Sequence, residues 1–497
     1  MSTFPASAGR PAAAGPGRGV GAAILLGSAA LIGAAYADLA PVIVLGAVTV
    51  LLWAILTQRF FLRWRSLLVA LIGVILFIPI GRYALPGALP FEMEPYRVMV
   101  GLLVVIWVAC LLVQREVRYR PSGLALPLGM VAFALLLSVG TNAERVHSLG
   151  IETEVIKGLT FFGSFIVVLL FVSSSIGSRA DLDAVLKALV GGGAIVALLA
   201  VIESRTGLTP FDSIDRLIPI LDYAGDITTL EARGGEFRAL GSAQHPIALG
   251  ASLALLLPLG VYLGRRYRGW IWWAASGALA LGVLTTVART ATLMLVVELI
   301  VLLILKPRVM FRLWPYALPF LVVVHTAVPG TLGSLKSSFF PTGGLIAEQQ
   351  AGAGTYGSNR LADLGPGIKE WKKTPHFGQG FGTRITQRSD PKWNSPILDN
   401  QWLGWLLETG WVGMVGLLWL FFRSVRRLGR ASKKDDSDYG WLLASLAASI
   451  TAMGIGMTTF DAFGFIQVAI LLFIVLGIGA AALRLASVPP RSHAAAH

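Results

Sequence analysis

The stretch Asp399-Asn400-Gln401-Trp402-Leu403-Gly404-Trp405-Leu406-Leu407-Glu408-Thr409-Gly410-Trp411-Val412-Gly413 runs from polar residues straight into an apolar helix. A membrane helix entered by an Asp-Asn pair puts a carboxylate at the boundary of lipid and water. Such a group is costly to keep beside hydrocarbon, so it is a candidate for function. The helix also carries Gly404, Gly410, Gly413 and Gly416. Small residues at near-helical spacing predict a close helix neighbour.

Outward from this stretch the apolar character recurs. The chain has 497 residues, 55% hydrophobic and only 14% charged, which is the composition of an integral membrane protein. The single cysteine, Cys110, lies in an apolar run and leaves no disulfide framework and no Cys-based metal site. Apolar runs long enough to span a bilayer fall near 21–37, 40–57, 67–81, 97–113, 123–141, 158–176, 183–202, 246–263, 270–287, 289–305, 313–331, 401–422, 440–458 and 460–484. The expected fold is therefore an all-α polytopic membrane protein with about fourteen transmembrane helices.

The net charge of +14 does not point to nucleic acid, because its carriers sit in short loops between apolar runs. Arg59, Arg63 and Arg65; Arg115, Arg118 and Arg120; Arg179; Arg265, Arg266 and Arg268; Lys306, Arg308 and Arg312; and the run from Arg423 to Lys434 occupy every second loop. The positive-inside rule puts these loops and both termini in the cytoplasm. The expected organisation is a flexible tail over 1–20, helices over 21–331 with an outer loop at 203–245, a long outer loop over 332–400, three helices over 401–485, and a tail over 486–497. The long loop is rich in Lys and Arg, among them Lys336, Arg360, Arg384, Arg388 and Lys392. An anionic ligand would account for that excess.

Four outer-face features carry chemistry, and each also has a plainer reading. Arg289 stands where one apolar run ends and the next begins. It either snorkels to headgroups or opens a helix so that guanidinium and N-terminus together face an anion. Arg238, Gly241, His245 and Pro246 form a polar approach to a span, where His245 and Pro246 also suit a helix start. Arg360 precedes Gly378-Gln379-Gly380-Phe381-Gly382, glycines that read as turns. Asp399 can cap its helix or accept a proton, and the two roles are compatible.

Taken in order, Arg238-(x)2-Gly241-(x)3-His245-Pro246, then Arg289 heading a span, then Arg360 ahead of Pro375-His376-Phe377-Gly378-Gln379-Gly380-Phe381-Gly382, then Asp399-Asn400-(x)2-Leu403-(x)4-Glu408-(x)-Gly410-(x)2-Gly413, resemble the O-antigen ligase and polymerase family of bacterial membrane proteins. The resemblance spans about 230–425, and Arg82-Tyr83 with the stretch to Pro95-Tyr96-Arg97 resembles a recurring outer loop of the same family. It implies a GT-C-like helical glycosyltransferase bundle, and a lipid-diphosphate-linked glycan donor used on the outer face of the bacterial cytoplasmic membrane. Membrane lipid, a glycan or glycolipid acceptor and other polysaccharide-assembly proteins are the implied partners, with no cofactor and no metal. Arg289 and Arg238, with Arg360 next, would stabilise charge on the leaving diphosphate, and Asp399 would accept the acceptor's proton. His245, Asn400, Trp402 and Glu408 would complete the substrate site, with Glu408 orienting it.

One departure stands out: Asp399 occupies the position where ligases of this family carry histidine. An aspartate is ionised at neutral pH, so base catalysis survives the change. Transfer to a lipopolysaccharide core is put in doubt, and chain polymerisation or another glycan transfer is favoured. Competing classes are a metal-dependent glycosyltransferase using Glu92-Met93-Glu94 or Glu152-Thr153-Glu154, a lipid-glycan flippase, and a scaffold without chemistry. Asp181-Leu182-Asp183 reads as a cytoplasmic helix start, and His325, within a span, reads as packed.

Overall fold

The computed structural model describes residues 64–86, 93–114, 117–225, 230, 232, 233, 236–313, 363–386 and 395–487, with isolated positions 315, 319, 322, 326 and 333. The expected spans at 21–37 and 40–57, nearly all of 313–331, and residues Arg360, Arg388, Lys392, Glu92 and His325 lie outside the described residues.

The described chain is helical. In order it forms α1 Trp64–Phe77, α2 Pro95–Val113, α3 Ala125–Thr141, α4 Ala143–Leu149, α5 Glu152–Ser175, α6 Arg179–Thr206, α7 Pro246–Tyr267, α8 Trp270–Thr285, α9 Arg289–Leu305, α10 Pro307–Leu313, α11 Leu364–Trp371, α12 Gln401–Lys433, α13 Asp438–Gly456 and α14 Ile466–Ala486. Two small antiparallel pairs join the connections, β1 Tyr83–Ala84 with β2 Asp222–Tyr223 and β3 Ala232–Arg233 with β4 Glu236–Phe237. Among the described residues seven helices are long and apolar enough to cross a bilayer: α2, α5, α6, α7, α12, α13 and α14. The α3–α4 pair, bent by 60°, brings the number to eight if it is counted as one broken span. This is an all-α polytopic membrane protein.

Local sequence explains the element ends. Ser178 caps α6 by accepting from the Asp181 N–H, so Asp181 sits in a helix start. Pro246 opens α7 behind His245, whose Nδ1 accepts from the Ile247 N–H. The helices α14 and α7 are the most enclosed, with 89% and 83% of their apolar windows buried. They therefore form the centre, and α2 and α5 flank it.

Two expected boundaries move, and one expected helix contact narrows. The last span starts at Ile466, because 457–465 is a turn region. The Glu152-Thr153-Glu154 segment is the first turn of α5, where acids complement the helix dipole. Of Gly404, Gly413 and Gly416, only Gly416 meets a neighbouring helix, lying against Val131 and Met130 of α3, whereas Gly404 has open space around it and Gly413 meets the side chain of Thr409 in its own helix.

Gly410 breaks α12. Its φ of 65° and ψ of −167° interrupt the helix, and that conformation is essentially open only to glycine. The break frees backbone groups that a bilayer cannot satisfy, and the turn after α11 satisfies them. Gln379 and Gly380 donate to the carbonyls of Leu407 and Glu408 at 2.9 and 3.3 Å, while Trp411 and Val412 donate to those of Pro375 and His376 at 2.9 and 3.4 Å. A Cβ on Gly378 would collide with the Glu408 backbone, and one on Gly410 with the His376 carbonyl. Gly378, Gly380 and Gly382 all have positive φ, so the turn needs its glycines both for conformation and for close approach. Asn142 donates to the Gly378 carbonyl at 3.1 Å, and Phe381 packs edge-on against Phe162 and Trp405.

Candidate functional site

The 238–245 connection is held from two sides. Arg82 is buried, pairs with Asp212 at 2.8 Å, and donates to the carbonyls of Gly241 and Ala243 at 2.7 and 2.6 Å. Glu203, near the end of α6, accepts from the Gly241 N–H at 2.7 Å and the Leu240 N–H at 3.4 Å. Buried donors and acceptors arranged in this way fix a loop in one geometry.

That loop delivers Arg238 to the turn between α8 and α9. Arg238 is buried, and its Nε donates to the Thr286 carbonyl at 3.2 Å. The Ala239 N–H donates to the Thr285 carbonyl at 3.2 Å. In this turn Val287 has φ 46°, an unusual conformation for a β-branched residue. Strained turns of this kind cluster at functional sites. Two residues later α9 begins at Arg289, behind Ala288, which supplies no side-chain cap. The half-buried Arg289 thus stands on the positive end of its own helix.

The neighbouring turn 457–465 is tied to the same place. Thr290 and Thr459 share a hydroxyl hydrogen bond of 2.8 Å. Gln401 donates its N–H to the carbonyls of Met457 and Phe460 at 2.9 and 3.1 Å, and its Oε1 accepts from Phe463 at 2.6 Å. Gln244 accepts from the Ile466 N–H at 3.0 Å, and His245 stacks on Phe465. The start of α12, carrying Asp399 and Asn400, is thereby joined to the 238–245 and 286–290 turns.

Asn400, rather than Asp399, caps α12, with its Oδ1 accepting from Leu403 at 3.1 Å. Asp399 precedes the cap and is exposed. Asp461, in the 457–465 turn, was absorbed into a span by sequence reasoning. It reaches solvent yet is enclosed by protein. That enclosure, reinforced by the negative charge of Asp399, raises its pKa above the usual aspartate value against opposing hydrogen bonds from Gly464 and Phe463. The sequence signal was present in Thr458-Thr459-Phe460-Asp461, a polar cluster ahead of an apolar run.

Glu408 and Trp402 sit beside this group. Glu408 precedes the break, and its Oε1 accepts from the Gly382 N–H at 3.2 Å. Trp402 donates to the Gly454 carbonyl at 2.9 Å. It also lines an apolar groove of about 530 Å³ between α12 and α13, together with Phe421, Val425, Ile455 and Thr458. Arg384, counted above among the basic excess, pairs with Glu370 at 3.0 Å and donates to Pro396 at 3.3 Å, bracing the chain that leads to Asp399. Two of the acids weighed for metal binding have protein partners: Glu94 accepts from Gly81 and pairs with Arg97, and Glu152 pairs with His147.

Fold and site define a polytopic helical membrane protein whose polar chemistry gathers at one end of the bundle, beside an apolar groove. The O-antigen ligase family model matches residues 274–418, so this segment is similar to that family. The segment contains Arg289, Arg360, Asp399 and Glu408, while Arg238 and His245 precede it. No curated protein matches the chain.

Proposed function

We propose that this protein is a bacterial membrane glycosyltransferase that polymerises glycans carried on an undecaprenyl-diphosphate-type donor, at the outer face of the cytoplasmic membrane. The observation that carries the reading is the set of hydrogen bonds from Arg238 to Thr286, between Thr290 and Thr459, and from Gln401 to Met457 and Phe460 on either side of Thr459, within a chain that the O-antigen ligase family model matches over 274–418. It gathers two arginines and an exposed carboxylate at one end of the bundle. The apolar groove beside Trp402 suits the donor's isoprenoid chain.

In this reading the acceptor hydroxyl oxygen attacks the anomeric carbon of the donor. The bond from that carbon to the diphosphate oxygen breaks, and the electron pair leaves with the lipid diphosphate. Arg289 and Arg238, with Arg360, stabilise that charge without a metal, since charge-assisted guanidinium bonds suit diphosphate oxygens. Asp399 takes the hydroxyl proton. Transfer of a finished glycan to a final carrier, as in a ligase, uses the same steps with another acceptor.

Asp399→Asn tests the reading. Asn400 holds the cap, so folding survives, while transfer from a lipid-diphosphate donor by the purified protein in lipid falls by about two to four orders of magnitude. Asp399→His retains partial activity. Wild-type transfer by Asp399→Asn would remove Asp399 as the base. Envelope glycans from cells lacking the protein separate the outcomes: single repeats replacing long chains indicate a polymerase, and loss of a whole glycan from its carrier indicates a ligase. Retention of glycan on the cytoplasmic side would indicate a flippase.

A further inference from the structure

At the end of the bundle opposite Asp399, the last turn of α7 and the first turns of α8 and α13 enclose a cavity of about 340 Å³ lined by Gly264, Arg265, Arg268, Trp273 and Asp438. That volume falls within the range of about 300–1,000 Å³ typical of small-molecule sites. We infer that this cavity binds the phosphate of an anionic phospholipid headgroup.

Three features point to an anion. Arg265 lies 4.9 Å from the centre of the Trp441 ring and only loosely pairs with Asp438, at 3.8 Å. Its Nε is buried without a hydrogen-bond partner, so donor capacity is left over. Arg268 ends α7 in the left-handed conformation, with φ 49° and ψ 18°, at the kind of position where helices favour glycine. An exposed arginine there carries a conformational cost that glycine would not. Arg266 between them is engaged with Asp183 at 3.4 Å, which leaves Arg265 and Arg268 against one carboxylate.

Two further features select a lipid over a soluble anion. The Trp273 ring lies across Gly264, where a Cβ would come within 2.8 Å of the indole. It is partly exposed, as are Trp270 and Ile271 beside it. Tryptophans at this level mark the headgroup region of a bilayer, and basic pockets between membrane helices bind anionic headgroups there.

The test is native mass spectrometry of the full-length protein after delipidation, titrated with phosphatidylglycerol or phosphatidylcholine. Phosphatidylglycerol is retained in preference, and Arg265→Ala with Arg268→Gly lowers its retention roughly twenty-five-fold, at about fivefold per basic residue. Arg268→Gly alone raises the unfolding temperature by relieving the left-handed strain, yet weakens lipid retention, a pair of opposite signs that a purely structural cap would not give. Equal retention of both lipids, or unchanged retention in the double variant, overturns the inference. Displacement of phosphatidylglycerol by millimolar inorganic phosphate overturns the lipid assignment in favour of a free-anion site.

Discussion

Gly410→Ala tests whether the break in α12 is built by the turn that fills it. At φ 65° and ψ −167° an alanine costs about 1–3 kcal/mol in backbone strain alone. Its methyl would also strike the His376 carbonyl, so the 375–376 backbone must retreat. The four hydrogen bonds across the break are each worth about 0.5–1.5 kcal/mol net. Losing two of them brings the total to about 2–6 kcal/mol. A straightened α12 could re-form its own bonds from Trp411 to Leu407 and from Val412 to Glu408, but this would leave Gln379 and Gly380 without acceptors and expel the turn. The assay is thermal unfolding in detergent followed by tryptophan fluorescence, combined with limited proteolysis of 374–382 in the folded protein. Gly404→Ala is the control, because nothing lies within 4 Å of its added methyl. It should gain about 0.5–1 kcal/mol, as for any glycine replaced inside a helix. If Gly410→Ala unfolds with wild type and its turn is cut no faster, the break does not depend on the turn.

Arg289→Lys keeps the charge but loses the planar two-pronged donor, and turnover should fall by at least about tenfold, equivalent to more than about 1.4 kcal/mol of transition-state stabilisation; wild-type transfer by Arg289→Ala would return the residue to membrane anchoring. Asp461 carries a folded-state pKa above its ordinary 3.8, so its ionisation opposes folding, and the stability it contributes is present at low pH and lost as pH rises through the raised value. Asp461→Asn should therefore melt above wild type at neutral pH, with the gain shrinking toward pH 4, and a pH-independent difference would contradict the assignment. Cysteines placed at Gly343 and Thr228 should react with an impermeant reagent in spheroplasts while one at Ser432 should not. The native Cys110 is buried and contributes little background. Labelling at Ser432 alone would reverse the orientation.

How much of this was legible in the sequence differs between fold and site. Apolar runs give helices because a bilayer forces every backbone group to pair within its own segment. Hence α1 to α3, α5 to α9 and α12 to α14 stand near their expected positions. Arg289, heading its span, and His245, ahead of Pro246, were found because helix starts are local. Asp461 was not: a lone acid beside an apolar run reads as part of the span until the turn at 457–465 is seen pinned by Gln401. The roles of Arg82 and Glu203 were equally hidden, because their partners lie 130 and 38 residues away.

The sequence by itself determined that this is a polytopic helical membrane protein, and where most of its helices begin, because hydrophobic length and capping chemistry act over one or two turns. Tertiary structure alone decided that α12 breaks at Gly410, that the glycine turn fills the break, and that Arg238, Arg289, Asp399 and Asp461 share one end of the bundle. Those features depend on hydrogen bonds between segments far apart in the chain, and no local pattern records which distant carbonyl will accept.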